Sequence, residues 1–142
     1  MKPDFHQFDD IPGTTIFTIE KSRQGFHLNQ FCMSLRSEQN RVRFLANERE
    51  YVDEWEMTEE QKQAVLDRDF QRMLDLGGNV YFLSKIFASE GLSYVQAVST
   101  MTDMNVEQYQ AMMLAGGRNV EGWRSKKERA AKERDAKDKG EA

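Results

Sequence analysis

Gly77-Gly78-Asn79-Val80-Tyr81-Phe82-Leu83-Ser84-Lys85-Ile86-Phe87 decides the fold, because a glycine pair able to end one helix runs directly into an apolar stretch able to form another. Gly77 tolerates the left-handed conformation in which helices stop, and the Asn79 side chain is suited to accept the free N–H groups of the helix that follows. Between Val80 and Ala88 only Ser84 and Lys85 are polar. A helix apolar around nearly its whole circumference belongs among neighbours rather than on a surface, so this segment is expected at the centre with the others packed around it.

Upstream, Thr58-Glu59-Glu60-Gln61 is a capping box that starts a helix whose apolar face, Val65, Leu66, Phe70, Met73 and Leu74, leads into Gly77. Before it, a helix opened by Ser37 is expected to run through Leu45, Tyr51, Val52 and Trp55 to a break at Met57-Thr58. Leu28, Phe31, Cys32 and Leu35 follow the i, i+3, i+4, i+7 spacing of an amphipathic helix, and Thr18 caps a short helix that stops at Gly25. Cys32 therefore lies on a buried stripe and reads as an inert thiol. Downstream, Ser93 with Gln96 and Asn105 with Gln108 repeat the cap pattern, predicting helices over 94–102 and 106–115, the second ended by Gly116-Gly117.

The fold class is all-α: a compact bundle of about six short-to-medium helices around the central apolar one, with an extended N-terminal arm and a charged C-terminal tail. The domain is expected over residues 1–117, of which 1–17 form the arm, and the tail over 118–142. Ile11-Pro12-Gly13-Thr14 has Pro and Gly where a type II turn wants them, so the arm turns sharply there. Thr15-Ile16-Phe17-Thr18 is β-prone, but one short strand without a partner makes no sheet.

The 142 residues, 39% hydrophobic, suffice for one core. Residues 118–142 carry nine Lys/Arg against six Asp/Glu, leaving eleven of the 20 basic and eighteen of the 24 acidic residues in the body. An acidic body without a basic, aromatic-studded patch argues against nucleic acid as a partner. No membrane-length apolar run occurs, and a single Cys32 makes no internal disulfide, so a cytoplasmic protein is expected.

Self-contained chemistry is scarce. His6 and His27 are the two histidines, and neither stands at helical spacing from a second ligand, so no internal metal site is expected. The Gly77-Gly78 pair lacks the Lys-Ser/Thr of a phosphate loop, and no nucleophile elbow accompanies the serines, so no catalytic residue is assigned. Sticky side chains are plentiful instead. Phe5, Phe8, Ile11 and Phe17 in the arm, with Met101 and Met104 among short helices, are candidate partner-interface residues.

Several strings carry a resemblance: Phe8-Asp9-Asp10-Ile11-Pro12-Gly13-Thr14; Leu28-Asn29-Gln30-Phe31 with Met33-Ser34-Leu35; Asp53-Glu54-Trp55; Gly77 through Lys85; and Gly116-Gly117-Arg118. In this order, over roughly residues 8–118, the chain resembles the alpha (small) subunit of protocatechuate 4,5-dioxygenase. The resemblance implies an accessory chain bound to a larger beta subunit, in an alpha2beta2 assembly, with the non-haem Fe(II) and the catalytic His in that partner. It implies opening of protocatechuate or a related catecholic acid with O2, a reaction that requires a water-free pocket over the metal. It also implies that Tyr94, where the best-known relatives carry Phe, lines the substrate pocket. The alternative is a free-standing helical adaptor that kept the fold without ring cleavage. The charged segment after Arg118 departs from the family, and its Glu128/Lys132 and Glu133/Lys137 pairs permit a solvated helix.

Overall fold

Caps set the lengths of the helices here more than apolar periodicity does. A computed structural model describes residues 2, 4, 6–119 and 124–140, and among these there are helices, turns and loops but no strand. The helices are α1 (Ile19–Gln24), α2 (Phe26–Ser34), α3 (Glu38–Ala46), α4 (Glu48–Asp53), α5 (Glu59–Leu66), α6 (Phe70–Asp75), α7 (Val80–Ser89), α8 (Tyr94–Ser99), α9 (Val106–Leu114) and α10 (Lys126–Asp138). The fold is all-α, with ten helices among the described residues where about six were expected.

Two expected long helices are each broken by an acid or amide that acts as a cap. Asn47 leaves the helical conformation (φ −153°, ψ 89°) and accepts the Glu50 N–H, separating α3 from α4. The register shifts with it, so that Phe44 is fully buried while Leu45, expected on the inner face, is exposed. Asp69 accepts the Arg72 N–H at 3.0 Å and starts α6, and Arg68 before it takes a positive φ of 54°. A left-handed non-glycine residue needs support from its surroundings. Arg68 has it: its guanidinium donates to the Val65 carbonyl at 2.7 Å, pairs with Glu48 and Glu90, and lies 5.1 Å from the Phe44 ring centre.

The expected caps are present, although α8 ends at Ser99 where a helix to residue 102 was expected. Thr58/Gln61 and Ser93/Gln96 form reciprocal capping boxes, Asn105 and Gln108 exchange the same pair of bonds, and Gly77, Gly116 and Gly117 have positive φ. Thr18 caps α1 and Asn79 caps α7. Thr14 N–H donates to Ile11 O at 3.3 Å with Gly13 at φ +70°, as a type II turn requires.

The described residues divide into two compact units. Phe17–Ala111 holds the core, in which Leu28, Phe31, Cys32 and Leu35 meet Phe44, Val52, Val65, Met73, Leu83, Ile86 and Phe87. Phe31 makes edge contacts with Phe44 and Tyr51 at ring separations of 5.3 and 5.9 Å, and Phe70 meets Phe87 at 4.6 Å. α7 packs on α2, α6 and α8. The other unit joins the chain ends, Met1–Ile16 with Met112–Ala142. There residues 6–10 run through turns rather than straight, with Asp9 N–H donating to His6 O at 3.1 Å and Ile11 N–H to Phe8 O at 3.3 Å. No helix among the described residues is long and apolar enough to cross a membrane.

Candidate functional site

The position of α7 is fixed by a polar joint at its start. Gly25, between α1 and α2, approaches Gly77 so closely that a Cβ on Gly25 would stand 1.8 Å from the Gly77 carbonyl oxygen. Asn29, only 6% exposed, spans the junction: its Nδ2 donates to Gly77 O at 3.2 Å and its Oδ1 accepts the Asn79 N–H at 3.0 Å. Gln61 closes the other side, its Nε2 donating to Gln24 O and Leu76 O, both at 3.0 Å, while its Oε1 accepts the Thr58 N–H. A buried amide with all these partners filled holds backbone segments in one arrangement, since leaving any of them unpaired costs free energy. Gly77 thus serves as a helix stop and as a crossing point.

From this joint α7 turns Leu83, Ile86 and Phe87 into the core. The remaining face is not covered. Val80 and Ala88 are exposed and Tyr81 is 62% exposed, although the sequence pattern places apolar groups all around this helix. The expectation of a helix surrounded on every side is therefore corrected: the neighbours α2, α6 and α8 cover one face, and the other carries Tyr81 and Ala88 beside Ser84 and Lys85. Tyr81 and Ala88 are seven residues apart and share that face. Lys85 stands over the Tyr81 ring, with Nζ 4.2 Å from its centre, and shields part of it.

Tyr94 is the first residue of α8 and is 56% exposed. Its ring edge rests on buried Phe87 at 6.2 Å. Phe87 comes from α7, so the ring that anchors the core also supports the exposed tyrosine. The remaining sequence-predicted residues differ in exposure. Phe17 is exposed, Met101 packs against the core, and Met104 is half-buried. In the unit of the chain ends, Phe8 is exposed and Ile11 half-buried. Phe5 lies outside the described residues.

No chemistry gathers elsewhere. His6 Nδ1 contacts Asp9 Oδ2 at 2.8 Å, His27 Nε2 lies 3.6 Å from Glu56, and among the described residues no three His, Cys, Asp or Glu side chains come together as metal ligands. The residues described do not fit an iron centre. Cys32 is fully buried, and burial pushes its thiol pKa up, which keeps it protonated. A shallow cleft of about 230 Å³ is lined by Arg43, Ala46, Asn47, Glu50, Tyr51 and Glu54. Its charged groups have partners within the cleft, Arg43 in Glu54 and Glu50 in the Asn47 amide that donates to it, so none is held ready for a substrate.

Sequence reasoning missed Val80 and Tyr81 as surface residues, Asn29 as a structural one, and the bonds that Gln61 makes to Gln24 O and Leu76 O beyond its cap. An amide inside an apolar stripe was the available signal for Asn29. The signal for Tyr81 was Ser84 and Lys85, three and four residues on, the polar residues that mark the outer face of α7.

Comparison with known proteins places these elements in context. The family model described as "Aromatic-ring-opening dioxygenase LigAB, LigA subunit" matches residues 28–114, a span that includes α2 to α9 apart from the first two residues of α2. A similar curated protein is gallate dioxygenase of Pseudomonas putida, 27% identical over 101 residues, or 71% of this chain and 30% of that protein. The chain thus spans less than a third of the length of the relative it matches.

Proposed function

The chain belongs to the LigA-subunit family of aromatic-ring-opening dioxygenases, and from that premise we propose that it is the small accessory subunit of a cytoplasmic extradiol enzyme. In this reading it binds a larger dioxygenase subunit and closes over an active site which that subunit carries. The iron is held by the partner, since the described residues here offer no ligand set for it. The substrate is a catecholic acid such as protocatechuate or gallate, opened with O2. This chain supplies no acid, base or nucleophile; it contributes apolar surface that excludes water from the pocket.

The observation that carries the proposal is the pair of exposed tyrosines, Tyr81 on α7 and Tyr94 on α8, within the family-matched segment. Val80 and Tyr81, with Tyr94 at the start of α8, are positions where a free-standing bundle would carry polar groups. Tyrosine is a favoured residue where one surface meets another, because a large rigid ring and a hydroxyl serve both dry and wet contacts. The length of the gallate dioxygenase relative agrees: there the similar segment is joined to more than twice its length of additional chain. Tyr94 is the residue we place at the pocket mouth; Phe17 and Met104, and separately Phe8 and Ile11 in the unit of the chain ends, are the further residues we assign to the partner. Met101, packed on the core, holds the turn after α8.

Reconstitution tests the proposal. The larger subunit is assayed for oxygen uptake on protocatechuate, gallate and 3-O-methylgallate, alone and with this chain. Ring cleavage that rises severalfold and saturates at one small subunit per large one supports the reading. Equal rates with and without the chain contradict it and favour the stand-alone adaptor.

A further inference from the structure

The two ends of the chain meet at the start of α10. Lys126 N–H donates to the Asp10 backbone oxygen at 3.4 Å, and Lys127 N–H donates to Asp10 Oδ2 at 3.2 Å. Ser125, buried just before them, accepts the Glu128 N–H on its hydroxyl at 3.1 Å. A helix leaves four N–H groups at its start without internal partners. Three of these are filled here, two of them by a residue from the opposite end of the chain. The placement of Asp10 is itself prepared by the turn at Pro12-Gly13, where the Arg118 guanidinium donates to Pro12 O at 3.4 Å and a Cβ on Gly13 would come within 2.9 Å of Arg118 Nη1.

None of the thirteen residues of α10 is buried, and an exposed helix of that length depends on how its ends are held. Its Glu128/Lys132 and Glu133/Lys137 spacings add only weak, salt-screened support. The cap at its start is where it is tied to the N-terminal arm.

We propose that Asp10 is a clasp through which the conformation of the N-terminal arm controls whether residues 126–138 are helical. Such coupling is reciprocal: whatever reorganises the arm melts the tail helix, and whatever unwinds the tail loosens the arm. Resting on the accessory-subunit reading, in which Phe8 and Ile11 contact the partner, the tail then reports whether the arm is docked.

The test uses the full chain without any partner. NMR Cα shifts and amide exchange are measured for Lys126–Asp138 and, as an internal reference, for Val80–Ser89. Asp10→Ala is expected to lower protection in α10 about two- to thirtyfold, the range that follows from losing a side-chain cap, with α7 unchanged. Asp10→Asn, which keeps a side-chain acceptor, is expected to retain most of the protection. Protection of α10 in Asp10→Ala equal to that of the parent overturns the clasp, as does equal loss in Asp10→Ala and Asp10→Asn. Adding the large subunit separates the two claims: an intact clasp in the free chain, with tail exchange unmoved in a demonstrated complex, leaves the clasp standing and removes only the arm from the interface.

Discussion

Gly25→Ala is the substitution whose consequence follows most directly from the geometry. An alanine Cβ would stand 1.8 Å from Gly77 O, 2.3 Å from its carbonyl carbon and 2.9 Å from its Cα. All three atoms are backbone, so no side chain can swing aside. Ordinary contact begins near 3.4 Å, and the two segments must separate by about 1.6 Å. The Asn29 Nδ2 bond to Gly77 O, 3.2 Å in the parent, does not survive that movement. Forced overpacking typically costs about 1–3 kcal/mol, and a buried amide stripped of its partner about 1–3 kcal/mol more. The expected loss is therefore about 3 kcal/mol or more, on the order of 10 °C in melting temperature for a chain of this size. Gly25 has φ −93°, which alanine adopts freely, so backbone strain plays no part. Gly116→Ala isolates strain alone: φ is +107° with nothing within 4 Å, and the loss should stay near 1–2 kcal/mol. Urea titrations of both variants, compared by midpoint at unchanged slope, give the result. A Gly25→Ala protein within about 0.5 kcal/mol of the parent, or no less stable than Gly116→Ala, would refute the crossing-point account.

Other expectations follow from single contacts. Asn29→Ala removes the donor to Gly77 O and the acceptor of Asn79 N–H, and should destabilise by about 2–4 kcal/mol in the same titration. Tyr94→Phe should leave stability within about 0.5 kcal/mol, because the residue is largely exposed, yet alter relative kcat/KM among protocatechuate, gallate and 3-O-methylgallate in the reconstituted enzyme; an unchanged substrate ranking counts against its place at the pocket. Hydrogen bonds from Lys62 and Arg49 hold Asp53 below the usual carboxylate pKa, and Arg49 does the same to Glu59. Lowered folded pKa values mean that their support is present above the unfolded values, about 4, and is lost as pH falls through the lower folded ones. Melting temperature should thus be flat near neutrality and fall in acid, with a shallower fall in Asp53→Asn. The isolated chain should bind no stoichiometric Fe(II) by metal analysis and take up no oxygen with catecholic acids.

The legible parts of this fold are those specified locally. Thr58 with Gln61, Ser93 with Gln96 and Asn105 with Gln108 are spaced so that each pair closes on itself, and no distant residue decides the outcome. The stripe Leu28, Phe31, Cys32, Leu35 was equally readable and is fully buried. Asn47 and Asp69 were not, because either residue fits an exposed helical position as well as a cap, and the choice depends on whether Phe44 and Phe70 find a place in the core. The crossing of Gly25 and Gly77 joins residues far apart in sequence, as does the bond from Lys127 to Asp10, and neither leaves a local signature. For the candidate site the limit was different. Tyr94 comes only from the resemblance, and its exposure from the structure; Tyr81 reads as core by its apolar character, while Ser84 and Lys85 beside it mark the outer face.

Co-purification of the chain with the larger dioxygenase subunit, parent against Tyr81→Asp, tests the accessory-subunit account most directly. Tyr81 is exposed and its ring meets only half-buried Phe82 and Lys85 among the contacts described, so the variant should keep the parent's helical circular dichroism and lose no more than about 1 kcal/mol of stability. The account predicts a one-to-one complex for the parent by light scattering, and at least a tenfold weaker one for the variant, since a carboxylate would be desolvated in the apolar contact. A parent chain that stays free in the presence of the large subunit, or a variant that binds as tightly as the parent, would contradict it.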